Sequence, residues 1–118
     1  MLPHLAYHDY EGIALNLDER QRLVSDLGDK SLMILRNHGT LATGATAAEA
    51  WVGLWHLERA CRMQVLALAA GRERVLMASE GSRAEVAKVV AGGLAGMSAL
   101  PWPGLLRRLD RQSPGYDS

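Results

Sequence analysis

Phenylalanine is absent from this sequence, cysteine occurs once, and thirteen basic residues are cancelled by thirteen acidic ones. The lone Cys61 cannot form an internal disulfide. That excludes the stapled scaffolds of small secreted domains and fits a reducing, cytoplasmic setting. Zero net charge argues against a nucleic-acid binder, which carries a basic excess on at least one stretch. Lysine is scarce as well: Lys30 and Lys88 stand alone among arginines. With abundant Ala and Gly, this is the codon usage of a GC-rich genome rather than an arginine-built recognition surface.

Long apolar runs are also missing. The opening MLPHLAYHDYEG has neither the basic nor the apolar region of a signal peptide. Val89 to Leu106 carries no charge and contains a GxxxG at Gly92 and Gly96. Its glycines, prolines and serine make it too polar to span a bilayer, so the pattern predicts close helix packing and no membrane partner.

What is present is 118 residues, 48% hydrophobic and 22% charged, which is one globular domain or part of one. Thr46-Ala47-Ala48-Glu49 is a capping box opening a long periodic segment that ends near Gly71. The spacing predicts a helix over about 46–70, with Ala50, Leu54, Leu57, Cys61, Val65 and Leu68 turned inward and Cys61 buried. Ser82-Arg83-Ala84-Glu85 is a second box, followed by Val86, Val89, Val90, Gly93 and Met97 on one side. A shorter helix is expected from Asp18 to Gly28 with Leu23, Val24 and Leu27 inward. Pro101 and Pro103 should break the chain before a last helix from Gly104 to Arg111, whose Arg107, Arg108 and Arg111 suit a C-terminal dipole end.

Strand signals are few. Leu32–Leu35 and Thr40–Thr43 flank Arg36-Asn37-His38-Gly39, a tight reversal, and a weaker strand covers Leu5 to His8. So few strands do not make a covered sheet, and the chain reads as part of a larger domain.

Of the four histidines, His4 and His8 sit beside Pro3 and two tyrosines, which disfavour the helix that would pair them on a metal. His56 is a mid-helix packing histidine beside Trp55. His38 differs, since it sits in a turn held by two strands, where ligand-binding groups concentrate. Tyr7, Asp9, Tyr10 and Glu11 read equally as pocket lining or as a strand end and turn. Arg36 reads as a strand cap, and Trp51 and Trp55 as core or subunit packing.

Leu35-Arg36-Asn37-His38-Gly39-Thr40-Leu41-Ala42-Thr43-Gly44, followed by Thr46, Glu49-Ala50 and Leu57-Glu58-Arg59-Ala60-Cys61, resembles the class II aldolase/adducin family. Tyr7-His8-Asp9-Tyr10-Glu11-Gly12 before it and Trp102-Pro103 after it resemble adducin-like bacterial members. The resemblance implies an α/β/α domain with a largely antiparallel sheet, of which residues 1–118 would be the C-terminal half. Residues 1–100 would supply sheet and helices, and 101–118 a last helix and tail. It implies a homo-oligomer and a metal-dependent lyase of retro-aldol type, acting on a small sugar or sugar phosphate. In the metal-dependent members three histidines hold a divalent cation, usually zinc. The histidine of the NHG turn matches His38, and Asn37 and Gly39 are candidates to shape a substrate site beside it.

The other two ligands come from an HxH motif, and no HxH occurs here. Neither does the family's upstream catalytic acid. The expectation is therefore a chain that is inactive alone and holds no zinc tightly, as a truncated gene, a mispredicted start or a split protein would leave it. The rival expectation is a non-enzymatic, adducin-like interaction module of cytoskeletal type.

Overall fold

The computed structural model describes residues 4–12, 17–91 and 94–117. Strand β1 (Leu5–His8) leads into helix α1 (Glu19–Leu27), then β2 (Leu32–Leu35) and β3 (Gly39–Ala42). Helix α2 (Ala47–Leu68), one 3-10 turn (Arg72–Arg74), α3 (Glu80–Val90), α4 (Leu94–Ser98) and α5 (Pro101–Gln112) follow. The class is α/β, as the family resemblance implied.

The sheet order is β1-β2-β3. A helical crossover joins β1 to β2, and they pair in parallel with Leu5 opposite Leu32 and His8 opposite Leu35. A tight turn joins β2 to β3, and they pair antiparallel with Leu35 opposite Gly39. Strand alternation gives the sheet two distinct faces. One carries Leu5, Tyr7, Leu32 and Ile34 toward α2; the other carries Ala6, His8 and Met33 toward α1. Among the described residues Ala6, Leu32, Met33, Val52 and Leu57 are the buried apolar side chains.

Helix α2 starts where its box predicts. Thr46 Oγ1 accepts the Glu49 N–H at 3.2 Å. The reciprocal bond lands one residue earlier than expected, with Ala45 N–H donating to Glu49 Oε2 at 3.3 Å. The inward face differs more. Val52, Gly53 and Leu57 are buried, whereas Leu54 is 36% exposed, Val65 68% and Leu68 41%. Apolar periodicity overlooked Gly53, whose missing side chain lets α2 close on Leu94 and Leu32, and that contact rotates the buried arc. Beyond Leu57 the expected stripe is half-buried at Cys61 and exposed at Val65 and Leu68. Cys61 is half-buried and lines an open apolar cleft with Leu5, Tyr7, Leu32 and Ile34 instead of sitting in the core.

Other boundaries shift for local reasons. Val24 is solvent-facing, so α1 turns only Leu23 and Leu27 partly inward. Helix α3 begins two residues before its expected box, because Ser79 Oγ accepts the Ser82 N–H at 3.1 Å and caps it upstream. Val86 and Val89 face solvent, and Met97 belongs to the separate α4, so no continuous stripe forms. Gly93 lies outside the described residues. Gly92 of the GxxxG lies outside them too; Gly96 has open space where a Cβ would go, and close helix packing is found at Gly53. Pro101 and Pro103 do not break the chain before α5; they form its first turn, where no backbone N–H is needed. Of its arginines only Arg111 reaches the last turn. Trp51 and Trp102 meet with centroids 6.4 Å apart, joining α2 to α5. Among the described residues no single helix is long and apolar enough to cross a membrane.

Candidate functional site

The turn between β2 and β3 closes through His38 N–H donating to the Leu35 carbonyl at 3.0 Å. Asn37 is its third residue and adopts φ 56°, the left-handed region that this position of a type II turn requires and Asn tolerates. Asn37 thereby sets the backbone that presents His38. Gly39 contributes differently. Its φ is not left-handed and a Cβ there would meet nothing within 4 Å, so it leaves open space beside the turn.

His38 is exposed and lines a cavity of about 60 Å³ with His8, Asp9, Tyr10, Glu11, Arg36 and part of α1. This volume admits a few waters or one small polar group. Asn37 and Gly39 do not line it. Asp9, Tyr10 and Glu11 do, which resolves their two readings toward the pocket. Tyr7 points to the opposite face of the sheet and lines the apolar cleft. Arg36 is more than a strand cap. Its Nε lies 3.0 Å from Asp9 Oδ1, and its guanidinium sits 5.2 Å from the Tyr7 ring centroid. Its backbone N–H also extends the strand pairing by donating to the His8 carbonyl at 3.0 Å.

The residue that motif reading passed over is His8. Only 4% of its surface is exposed, and Nδ1 lies 2.7 Å from Asp26 Oδ2 on α1. A carboxylate accepts only, so Nδ1 carries the proton. Nε2 is buried without a hydrogen-bond partner, 3.6 Å from Glu19 Oε1 and 3.8 Å from Glu11 Oε1. The Asp26 hydrogen bond raises the imidazole pKa above its ordinary 6.5; burial opposes this, and the Asp26 and Glu11 charges and Glu19 add to it. Arg22 Nε donates to Glu11 Oε1 at 2.8 Å, with a second contact from Nη2 to Oε2. That pairing holds the Glu11 carboxyl below its ordinary 4.5. One signal for His8 was legible: alternation along β1 puts it on the Ala6 face, where a histidine needs a polar partner.

The remaining histidines stand apart. His4 Nε2 lies 3.2 Å from the Val90 carbonyl, and His56 packs edge-on to Trp55 at 4.9 Å. Among the described residues no group of three or more His, Cys, Asp or Glu side chains is placed to hold a metal ion.

Residues 1–65 match the family model described as Class II Aldolase and Adducin N-terminal domain. A protein of Caulobacter vibrioides whose name places it in aldolase class 2 is 61% identical over 116 residues, spanning 98% of this chain and 45% of that protein. Alpha-adducin of Rattus norvegicus is 39% identical over 83 residues, covering 68% of this chain and 11% of the adducin. The crystal structure of an aldolase II superfamily protein from Pseudomonas syringae superposes with a TM-score of 0.89 at 43% identity, covering 98% of this chain and 46% of that one. The chain thus spans about half the length of the bacterial relatives it matches.

Proposed function

Because the chain belongs to the class II aldolase and adducin family, we propose that it carries the His38 share of a metal-dependent lyase site. The complete domain would act by retro-aldol cleavage on a small sugar or sugar phosphate. The observation that carries this reading is the placement of His38: exposed at the tip of a strand-held turn, on a cavity shared with Asp9, Glu11 and Arg36.

The chain's own residues do not fit a complete metal site. Zinc takes at least three protein ligands, and the described residues bring no such group together. No catalytic step is therefore assigned to this chain alone. Its share is to present one imidazole on a rigid turn and to line the cavity with paired charges, Arg36 with Asp9 and Arg22 with Glu11. We place residues 1–118 as part of a larger family domain, in a cytoplasmic homo-oligomer. The further zinc ligands and the catalytic acid would come from outside this chain.

The 39% identity to alpha-adducin and the absence of HxH support a second reading, a non-enzymatic interaction module of adducin type. Zinc titration separates the two. The chain alone should bind zinc weakly. Adding the segment of the Caulobacter relative that this chain does not cover should bring tight binding, and His38→Ala should remove the gain. Tight binding that survives His38→Ala would overturn the lyase reading, and no gain in any mixture would favour the module.

A further inference from the structure

Helix α1 has an unusual attachment to the sheet. None of its nine residues is fully buried, and Val24 at its middle is 71% exposed. Most helices in small domains are held by an apolar stripe; α1 offers only the half-covered Leu23 and Leu27. What ties it down is polar. Asp26 near its end accepts from His8 Nδ1, Glu19 at its start stands 3.6 Å from His8 Nε2, and Arg22 between them grips Glu11 of the loop after β1. The same helix walls the cavity that carries His38, through Glu19 and Leu23.

We propose that α1 is a charge-latched flap over this cavity, held shut by a protonated His8 clamped between Asp26, Glu19 and Glu11. With His8 charged, it and Arg22 stand against three carboxylates. With His8 neutral, those carboxylates surround a buried imidazole whose Nε2 lone pair faces two of them, and Arg22, whose charge Asp18 also feels, is the cation left among them. The other charged or titratable groups on the cavity are Asp9 (paired with Arg36), Tyr10, and His38, to which His8 makes no hydrogen bond or ion pair among the described residues. From β2, apolar Leu35 faces the cavity. The His8 pKa is raised above 6.5, so the latch is fully present below that value and is lost as pH rises through the raised one. Opening α1 widens access to His38 and closing it restricts access, whether or not a metal is ever held there.

Hydrogen exchange of the full chain tests this, with rates corrected for intrinsic pH dependence. Protection of the amides over 19–27 should fall several-fold between about pH 6 and a pH above the raised His8 value, while amides over 50–60 in α2 stay protected. Asp26→Asn should show the low α1 protection at both pH values, and Asp29→Asn, in the turn beyond α1, should behave as the parent. Glu19→Gln is the second latch variant and should lower α1 protection several-fold at about pH 6. The proposal is overturned if α1 protection is the same at both pH values, if it survives both latch variants, or if α1 and α2 always open together. Zinc plays no part in this readout, so its outcome is separate from that of the His38 titration.

Discussion

Gly53 on α2 and Leu94 at the start of α4 approach so closely that a Cβ on residue 53 would lie 2.7 Å from Leu94 Cδ1. It would also lie 3.0 Å from Leu32 Cδ2. This contact seats α2 on the sheet and α4 on α2. Leu32 is 1% exposed and has little room to yield. Gly53→Val should therefore destabilise the chain by about 1–3 kcal/mol through overpacking, despite the gain in helix propensity over glycine. Urea unfolding followed by circular dichroism measures it, and an unchanged midpoint would show that the Leu94 side chain moves aside freely.

The two halves of α2 should respond unequally to truncation. Leu57 is 3% exposed and Val65 68%. Leu57→Ala should cost about 2–5 kcal/mol, and Val65→Ala within about 0.5 kcal/mol of nothing. Equal costs in the same melts would mean that Val65 is covered in solution, by a second copy or a partner.

The cap of α2 is separable from its packing. Thr46→Ala removes the acceptor for the Glu49 N–H and should cost about 1 kcal/mol, whereas Thr46→Ser should stay within a few tenths. Gly44, just upstream, is a sterner test. A Cβ there would stand 2.7 Å from the Ala50 backbone nitrogen and 2.6 Å from Glu49 Cβ, so Gly44→Ala must shift backbone and should cost about 1–3 kcal/mol. An intact midpoint for Gly44→Ala would show that the helix entry adapts.

On the acid side, the Arg22–Glu11 pair has its own signature. Because Arg22 depresses the Glu11 pKa, the pair's contribution is present above about pH 4.5 and is lost only as pH falls through the depressed value. Carboxyl-carbon NMR should show Glu11 titrating below the ordinary carboxyl value of 4.5. Arg22→Gln should move it back up, and a Glu11 titration identical in both proteins would contradict the pairing.

Local chemistry was readable wherever it depends on neighbours in the chain. The Thr46 cap, the reversal at Arg36-Asn37-His38, the three strands and the breadth of α2 are decided by hydroxyl-to-amide reach, the φ tolerance of Asn, and apolar spacing. The family resemblance that makes His38 a candidate ligand rests on the same short stretch. Which side of each helix lies inward was a different matter. Periodicity counts side chains, so it could not register that a glycine, Gly53, is a point of close approach, nor that Val65 and Leu68 stay exposed. Nor could it find the pairing of His8 with Asp26, whose partners lie eighteen residues apart and meet only because a crossover helix folds back over the parallel β1–β2 pair. A strand-end histidine has no partner until tertiary structure supplies one, and here the carboxylates around it decide its charge.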